Sequence, residues 1–142
     1  MILVKPEKIA SLMGLLPSPH SFAELDKIVS DGLPKSSLKT IVDLIGMDNG
    51  ERRQLLYQIV PEATYKRRRD KLTAEESART ERLARIYATA QYVWDSDDDA
   101  KVFLHTPHPL LHNQTPLDVA MSELGARRVE ELLWQLHYGL SA

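Results

Sequence analysis

The sequence predicts an all-α protein. Apolar residues recur at spacings of three and four along most of the 142 residues, and no segment of five or more residues alternates apolar and polar side chains as a half-buried strand does. Proline and glycine fall between the periodic segments, where helices begin and end. We therefore expect short helices that form one domain, or two small domains that share a core.

Three helices are expected at the start of the chain. Pro6 can open the first helix, and Pro17 ends it. Ser21 and Glu24 have the spacing of a capping box, in which the Ser hydroxyl accepts from an amide of the first turn and the Glu side chain reaches back to the Ser amide. A third helix lies within residues 34–46. The side chains expected to face the core are Ile9, Leu12, Met13 and Leu16, then Leu25, Ile28 and Val29, then Leu38, Ile41, Val42 and Ile45.

Two shorter helices follow, and a tight turn separates them. The pattern predicts helices over residues 51–58 and 62–71. Pro61 can begin a helix and disfavours helical geometry at Val60, so the turn belongs at residues 58–61. Two short helices joined in this way have the shape of a helix-turn-helix DNA-binding motif.

The second helix of this pair carries the basic residues that a DNA-binding motif needs. Residues 1–72 have 12 Lys and Arg against nine Asp and Glu (+3), whereas residues 73–142 have six against 11 (−5). An alternative is a solvated basic face, or ion pairs with Glu75 and Glu76. The residues expected to face bases are Glu62, Ala63, Thr64 and Lys66, and those expected near phosphates are Arg67, Arg68 and Arg69.

The most regular helix begins after Thr73 and is expected to form the spine of the protein. Thr73 and Glu76 form a second capping box. About 22 residues at 1.5 Å each give a helix of roughly 33 Å. Its apolar stripe is Leu83, Ile86, Tyr87, Ala90 and Trp94, with Arg79, Arg82 and Arg85 outside the stripe.

Three further helices complete the chain. Ser96 caps the first, and aspartates favour the positive end of its helix dipole. Thr115 caps a short second helix. We expect Gly125 to separate this helix from the last one and Gly139 to be the C-cap. The side chains expected to face inward are Val102, Phe103 and Leu104, then Val129, Leu132, Leu133 and Leu136.

The composition excludes several classes of protein. The absence of Cys removes disulfide scaffolds, thiolate metal sites and Cys nucleophiles, and it suits a reducing compartment. The uncharged run at residues 1–4 is too short for a signal peptide or a membrane span. We therefore expect a cytoplasmic protein with no membrane association.

Neither an enzyme nor a metal site is indicated. No phosphate-binding Gly loop or nucleophile elbow is present in the sequence. His105, His108 and His112 cluster, but Pro107 interrupts their spacing and no carboxylate or Cys completes a zinc set. The aspartates of residues 95–99 lack the Gly and terminal Glu of a calcium loop, and helix capping explains them. We therefore expect no cofactor, no metal and no catalysis.

Large aromatic residues mark the last helix. Trp134 and Tyr138 are four residues apart, on a face beside the apolar one. Such side chains are enriched at the centres of protein interfaces. The residues alone leave two interpretations open, a protein interface and core packing.

Four sequence runs carry a family resemblance. They are VPEATYKRR at 60–68, LTAEESAR at 72–79, RLA at 82–84 and TPLD at 115–118, followed by Gly125, Val129, Leu132, Leu133 and Gly139. Together they resemble the Xre/MbcA/ParS antitoxins, the partners of RES-domain toxins. The first run resembles the Xre-like recognition segment of that family, and it extends the match back to about residue 21.

The resemblance implies the antitoxin of a bacterial type II toxin–antitoxin pair. It implies an N-terminal helix-turn-helix-like helical bundle packed on a C-terminal helical toxin-binding domain, in a protein that forms a homodimer. The implied divisions are an N-terminal helical segment (1–20), an Xre-like DNA-binding region (21–72) and a toxin-binding domain (73–142).

The implied partner is a RES-domain toxin related to ADP-ribosyltransferases, which consumes NAD or uses it to modify a protein. The antitoxin would block the entrance to the toxin's active site, and its N-terminal helices would bind operator DNA and repress their own operon. The alternative is a stand-alone dimeric helix-turn-helix repressor without toxin neutralisation. By position in the family, toxin contact would fall on Trp134, Tyr138, Leu140, Ser141 and Ala142.

Two departures from the family pattern lie in the C-terminal part. His112-Asn113 stands where many relatives have Gly-Gly, and Asn adopts left-handed backbone geometry more readily than His. We therefore expect this loop to differ from theirs. Phe103 replaces the usual Trp, a change of volume that a core can absorb.

Overall fold

The computed structural model describes residues 4–139, in which the helices are joined by turns and loops and no strand is present. No helix among these residues has both the length and the apolar character needed to cross a membrane. A short 3-10 helix, Pro109–Leu111, lies between the seventh and eighth α-helices. The α-helices are α1 (Pro6–Leu12), α2 (Phe22–Asp31), α3 (Lys35–Ile45), α4 (Asn49–Ile59), α5 (Glu62–Arg67), α6 (Ala74–Trp94), α7 (Asp97–His105), α8 (Pro116–Val119) and α9 (Glu123–His137).

Side-chain caps explain where most helices begin. In six helices a side-chain oxygen accepts from the backbone N–H three residues later, which satisfies an amide that has no partner within the helix. The Thr73–Glu76 capping box is confirmed in both directions. At the earlier box the Glu24 carboxylate accepts from the His20 N–H, one residue before the predicted Ser21 amide. The six capping residues are Ser21, Asp48, Thr73, Ser96, Thr115 and Ser122, at 2.8 to 3.1 Å.

The first of two compact units is Lys5–Ala84. Within it α3 packs against α1 and α4, α1 packs against α2, and α4 packs against α5. Leu16 was expected in the core but is 91% exposed. The prediction is wrong because α1 ends at Leu12 and the chain turns at Gly14, which has a φ of +65°, so helical spacing no longer applies. Fully buried side chains include Ile9, Met13, Leu33, Leu38, Ile41, Val42, Ile45, Val60 and Leu83.

Helix α5 is shorter than the sequence predicted. It ends at Arg67, and Arg68 has an extended backbone with a ψ of 134°. The residues that follow pair with the connection between α2 and α3. The Lys35 N–H donates to the Asp70 carbonyl at 2.9 Å, and the Leu72 N–H donates to the Leu33 carbonyl at 2.9 Å. These bonds replace the helical ones that would have carried α5 to Lys71.

The second compact unit contains residues 85–139. In it α7 packs against α8, and α8 packs against α9. An ion pair between Arg85 and Glu130, at 2.9 Å, joins the second half of α6 to α9. Two side chains expected to face inward are exposed, Val102 by 55% and Trp94 by 41%. Val102 lies beside the inward face of α7, and Trp94 is the last residue of α6.

Gly125 lies inside α9 rather than between two helices, so that prediction is wrong. The helix begins at the Ser122 cap, and Gly125 is buried in its first turn. A Cβ on Gly125 would lie 1.8 Å from the Val119 carbonyl oxygen, so this residue type permits the close approach of α8. At the other end Tyr138 is the C-cap, and Gly139 follows it with a φ of +68°.

Candidate DNA-binding and toxin-binding surfaces

The helix-turn-helix geometry is formed by α4, a two-residue turn and α5. Val60 is fully buried and extended, and Pro61 is the N-cap of the next helix. Gln54 and Gln58 stand where buried apolar residues are usual in this motif, and both are exposed. The neighbouring positions of α4 supply its core contacts instead, through Leu55, Leu56 and Ile59.

Helix α5 presents most of its side chains to solvent. None of its six residues is buried, and Glu62, Ala63, Lys66 and Arg67 are exposed. Lys66 Nζ lies 2.9 Å from Glu62 Oε1. The hydrogen bond and the negative charge of Glu62 raise the pKa of Lys66. Three of the four expected base-facing residues are therefore exposed, two of these three form an ion pair, and Thr64 is half-buried.

Tyr65 packs α5 against α3 and α4, a role that the sequence analysis missed. Its ring lies 6.2 Å from the Tyr57 ring in an edge arrangement, and Lys35 Nζ lies 4.2 Å from the Tyr65 ring centroid. An ammonium over a ring face is attracted by the ring quadrupole. Burial raises the pKa of Tyr65. The available signal was an aromatic residue in the middle of a polar, basic run.

The three consecutive arginines have different surroundings. Arg67 and Arg69 are exposed. Arg68 Nη2 lies 3.0 Å from Glu76 Oε2, and the two side chains are only 31% and 10% exposed. The expected phosphate-facing group therefore contains two exposed cations and one paired, partly buried cation.

Four ring side chains meet at the end of the second unit. Trp134 and Tyr138 pack edge to face with centroids 5.7 Å apart, and they are 37% and 47% exposed. His137 lies 4.8 Å from Tyr138 and 5.2 Å from Tyr92 of α6, by ring centroids. We call Tyr92, Trp134, His137 and Tyr138 the aromatic surface. Sequence analysis found Trp134 and Tyr138, whereas it missed Tyr92 and His137.

The expected toxin-contact residues are only partly described. Trp134 and Tyr138 lie together on the aromatic surface. Leu140, Ser141 and Ala142 lie outside the described residues. Below the aromatic surface, α9 packs inward through Val129, Leu132 and Leu133.

A second apolar feature is a groove of about 280 Å³ along α7. The Trp94 ring packs over Phe103 with centroids 5.9 Å apart. The exposed Val102 lines this groove, which explains how an apolar residue of α7 stands outside the core. The groove is lined by Trp94, Asp99, Val102, Phe103, Thr106, Pro107, His108 and Leu136.

The three clustered histidines have separate local contacts. His105 Nδ1 lies 2.7 Å from the Lys101 carbonyl oxygen, and His108 Nδ1 accepts from the Leu110 N–H at 3.1 Å. His112 has a left-handed backbone with a φ of +55°. Within residues 4–139 no group of three or more His, Asp or Glu residues is arranged to hold a metal ion.

Comparison with known proteins matches both halves of the chain. The antitoxin Xre-like helix-turn-helix domain matches residues 24–85, and the antitoxin Xre/MbcA/ParS C-terminal toxin-binding domain matches residues 89–139. Antitoxin Xre of Pseudomonas putida is 33% identical over 135 residues, which cover 92% of this chain and 82% of that protein.

A helix-turn-helix domain followed by a toxin-binding domain defines a regulatory protein, the antitoxin of a toxin–antitoxin pair. The chain belongs to the Xre/MbcA/ParS antitoxin family. The all-α fold and the family predicted from the sequence are thereby confirmed.

Proposed function

We propose that this antitoxin neutralises a RES-type toxin, one that consumes NAD or transfers ADP-ribose from it, by covering the entrance to the toxin's active site. The observation that carries the proposal is the exposed aromatic surface, which lies within the part of the chain matched as toxin-binding domain. Large aromatic side chains are typical of interface centres. Covering an active site needs contact area and complementarity, so the antitoxin itself supplies no catalytic residue and no cofactor.

The proposed toxin contact continues past the last helix. Trp134 and Tyr138 supply its aromatic part, and Leu140, Ser141 and Ala142 extend it along the chain. A permanent interface of this kind is expected to be large and apolar at its centre.

Co-expression with the toxin encoded beside the antitoxin gene tests the proposal. Trp134→Ala is expected to weaken toxin binding by about 30-fold, the effect of a typical hot-spot residue, and to restore NAD loss and growth arrest. Leu124→Ala is a matched control, because Leu124 is 74% exposed and lies about 15 Å earlier on the same helix. Steric occlusion would be refuted if Trp134→Ala, Tyr138→Ala and deletion of residues 140–142 all left the toxin silent at equal antitoxin concentration.

We also propose that the protein represses its own operon through the helix-turn-helix domain, as a homodimer in the cytoplasm, where the promoter lies. Two copies would read half-sites about 34 Å apart, one turn of DNA. The proposed base contacts come from Glu62, Ala63, Thr64 and Lys66, and the proposed phosphate contacts come from Arg67 and Arg69, the two exposed residues of the arginine run.

Binding to a promoter fragment tests repression separately from neutralisation. Arg67→Ala with Arg69→Ala is expected to weaken binding and to make it less dependent on salt. The reason is that binding with fewer phosphate contacts releases fewer counterions from the DNA. Light scattering measures whether the free protein is a dimer. A stand-alone repressor would bind the promoter equally well but would leave the neighbouring toxin active. Residues 21–72 are thus proposed for DNA and residues 73–142 for the toxin, after an N-terminal helical segment of residues 1–20.

A further inference from the structure

Arg68 differs from both of its arginine neighbours in what its side chain contacts. Its guanidinium lies 3.0 Å from the Glu76 carboxylate, and its Nε is buried. Arg67 and Arg69 are exposed and form no ion pair with any residue of the range 4–139. A side chain that contacts phosphate must be available for it. Of the three arginines, Arg68 alone would first have to break an ion pair within the protein.

The Glu76 carboxylate is held rigidly by its own capping box. One oxygen accepts from the Thr73 N–H at 2.8 Å, while the Glu76 N–H donates to the Thr73 hydroxyl at 3.1 Å. The other oxygen accepts from Arg68. Burial by itself raises the pKa of Glu76, but the Thr73 amide and the Arg68 guanidinium outweigh burial, so the pKa is lowered. Arg68 is therefore bound to a fixed, charged partner at the start of α6.

The backbone at the end of α5 is held by a second set of contacts. Lys35 Nζ donates to the Arg68 carbonyl at 3.1 Å. Two backbone hydrogen bonds, from Lys35 to Asp70 and from Leu72 to Leu33, fix the next residues against the connection between α2 and α3. Both the side chain and the backbone of Arg68 are thus engaged inside the first unit.

Helix α5 needs such contacts because it is short and has no buried residue of its own. Its orientation depends on the turn at Val60 and Pro61, on the packing of Tyr65, and on the contacts at Arg68. Six residues form fewer than two helical turns, so a loosened end would let the whole helix tilt. A recognition helix that tilts no longer presents its side chains in register with base edges.

We propose that Arg68 is a positioning residue for DNA recognition: by pairing with Glu76 it fixes the orientation of α5, and it makes no phosphate contact. This inference rests on the proposed binding of operator DNA. The inference makes Glu76 a requirement for DNA binding, although charge repulsion alone predicts that an acidic residue weakens DNA binding. It also divides the arginine run into two phosphate-facing residues and one structural residue.

Fluorescence anisotropy of a promoter fragment tests this division, with the full-length protein and a series of salt concentrations. Arg67→Ala and Arg69→Ala are the matched controls, and each is expected to lower the salt slope by about one. Arg68→Ala and Glu76→Gln are expected to weaken binding by about tenfold at every salt concentration with the slope unchanged. Glu76→Gln keeps the side-chain shape and the acceptor for the Thr73 amide, so it folds even if Arg68→Ala loosens the unit.

The sign of the Glu76→Gln effect separates the two explanations. Removal of a negative charge near DNA tightens binding if only electrostatics acts, whereas loss of positioning weakens it. The double variant Arg68→Ala with Glu76→Gln is expected to bind no worse than Arg68→Ala, since both changes break the same pair.

The inference is overturned if Arg68→Ala lowers the salt slope as its neighbours do, or if Glu76→Gln binds as tightly as the unaltered protein or more tightly. Failure of the unaltered protein to bind the promoter would instead overturn the proposed repression, and the positioning role would fall with it.

Discussion

Replacing Gly125 by alanine is expected to destabilise the toxin-binding domain, although alanine normally stabilises a helix. Within a helix the change from Gly to Ala is worth about 1 kcal/mol in favour of Ala. Gly125 lies in the first turn of α9, so this preference applies there. The added Cβ, however, would stand 1.8 Å from the Val119 carbonyl oxygen and 2.7 Å from the Ser122 hydroxyl.

The size of the effect follows from these distances. Ordinary contact begins near 3.4 Å, so α8 and α9 must separate by about 1.6 Å at this point. The Ser122 hydroxyl also accepts from the Gly125 N–H at 3.0 Å, and loss of a cap costs about 1 kcal/mol. Overpacking costs about 1 to 3 kcal/mol. After the gain from helix propensity, the expected net loss is about 2 kcal/mol, or about 6 to 8 °C in Tm.

Thermal and urea unfolding measure this loss, and Gly50→Ala is the matched control. Gly50 is also in the first turn of a helix, but a Cβ there would meet only the Asp48 carboxylate oxygen, at 3.3 Å. We expect Gly50→Ala to be neutral or slightly stabilising, by up to about 0.5 kcal/mol. A Gly125→Ala variant that melts at or above the temperature of the unaltered protein would show that the junction of α8 and α9 is not as close as described.

Three further predictions concern other parts of the chain. His112→Gly is expected to raise stability by about 0.5 to 1 kcal/mol in urea unfolding, because His112 has a φ of +55° and glycine adopts that geometry without a steric cost. Met13→Ala is expected to cost about 2 to 5 kcal/mol and Leu16→Ala less than about 0.5, since Met13 is 1% exposed and Leu16 is 91% exposed; equal losses would contradict the described end of α1. The lowered pKa of Glu76 stabilises the fold above about pH 4.5, and this contribution is lost as the pH falls through the folded-state pKa. As the pH is lowered through that range, the Tm of Glu76→Gln is therefore expected to fall less steeply than the Tm of the unaltered protein.

Local chemistry in the sequence predicted where helices begin better than where they end. The cap at Ser96 and the capping box at Thr73 depend on residues three positions apart, and the structure contains both. The end of α5 depends on hydrogen bonds between residues far apart in sequence, such as Leu33 and Leu72. A pattern of local spacing carries no information about such a partner, so the sequence extended this helix to Lys71.

The aromatic surface was predicted in part for the same reason. Trp134 and Tyr138 are four residues apart on one helix, so their proximity follows from helical geometry. Tyr92 meets His137 from another helix, 45 positions earlier in the chain, and only the packing of α6 on α9 brings them together. Tyr92 stands outside the apolar stripe of α6, and its 51% exposure agrees with that position.

The His112-Asn113 loop has left-handed backbone geometry at two consecutive residues that are not glycine. Both residues have positive φ values, +55° and +61°. Backbone bonds between His108 and Gln114, and from the Asn113 N–H to the His108 carbonyl, close the loop. These hydrogen bonds hold the left-handed geometry against the preference of the His112 side chain. A difference between this loop and that of relatives stays a prediction.

The two units differ in charge in a way that bears on both proposed partners. Lys5–Ala84 contains 14 Lys and Arg against 12 Asp and Glu, a net +2, whereas residues 85–142 contain four against eight, a net −4. Phosphate repels an acidic surface, and at physiological salt this repulsion acts over about 8 Å. The net charge of the first unit, where Arg67 and Arg69 are exposed, therefore favours the proposed DNA contact, and the net charge of the second unit opposes one. Since the proposed DNA contacts and the proposed toxin contacts lie in different units, promoter binding and toxin binding need not compete for the same residues. Substitutions in one unit are therefore expected to leave the affinity of the other unit for its ligand unchanged.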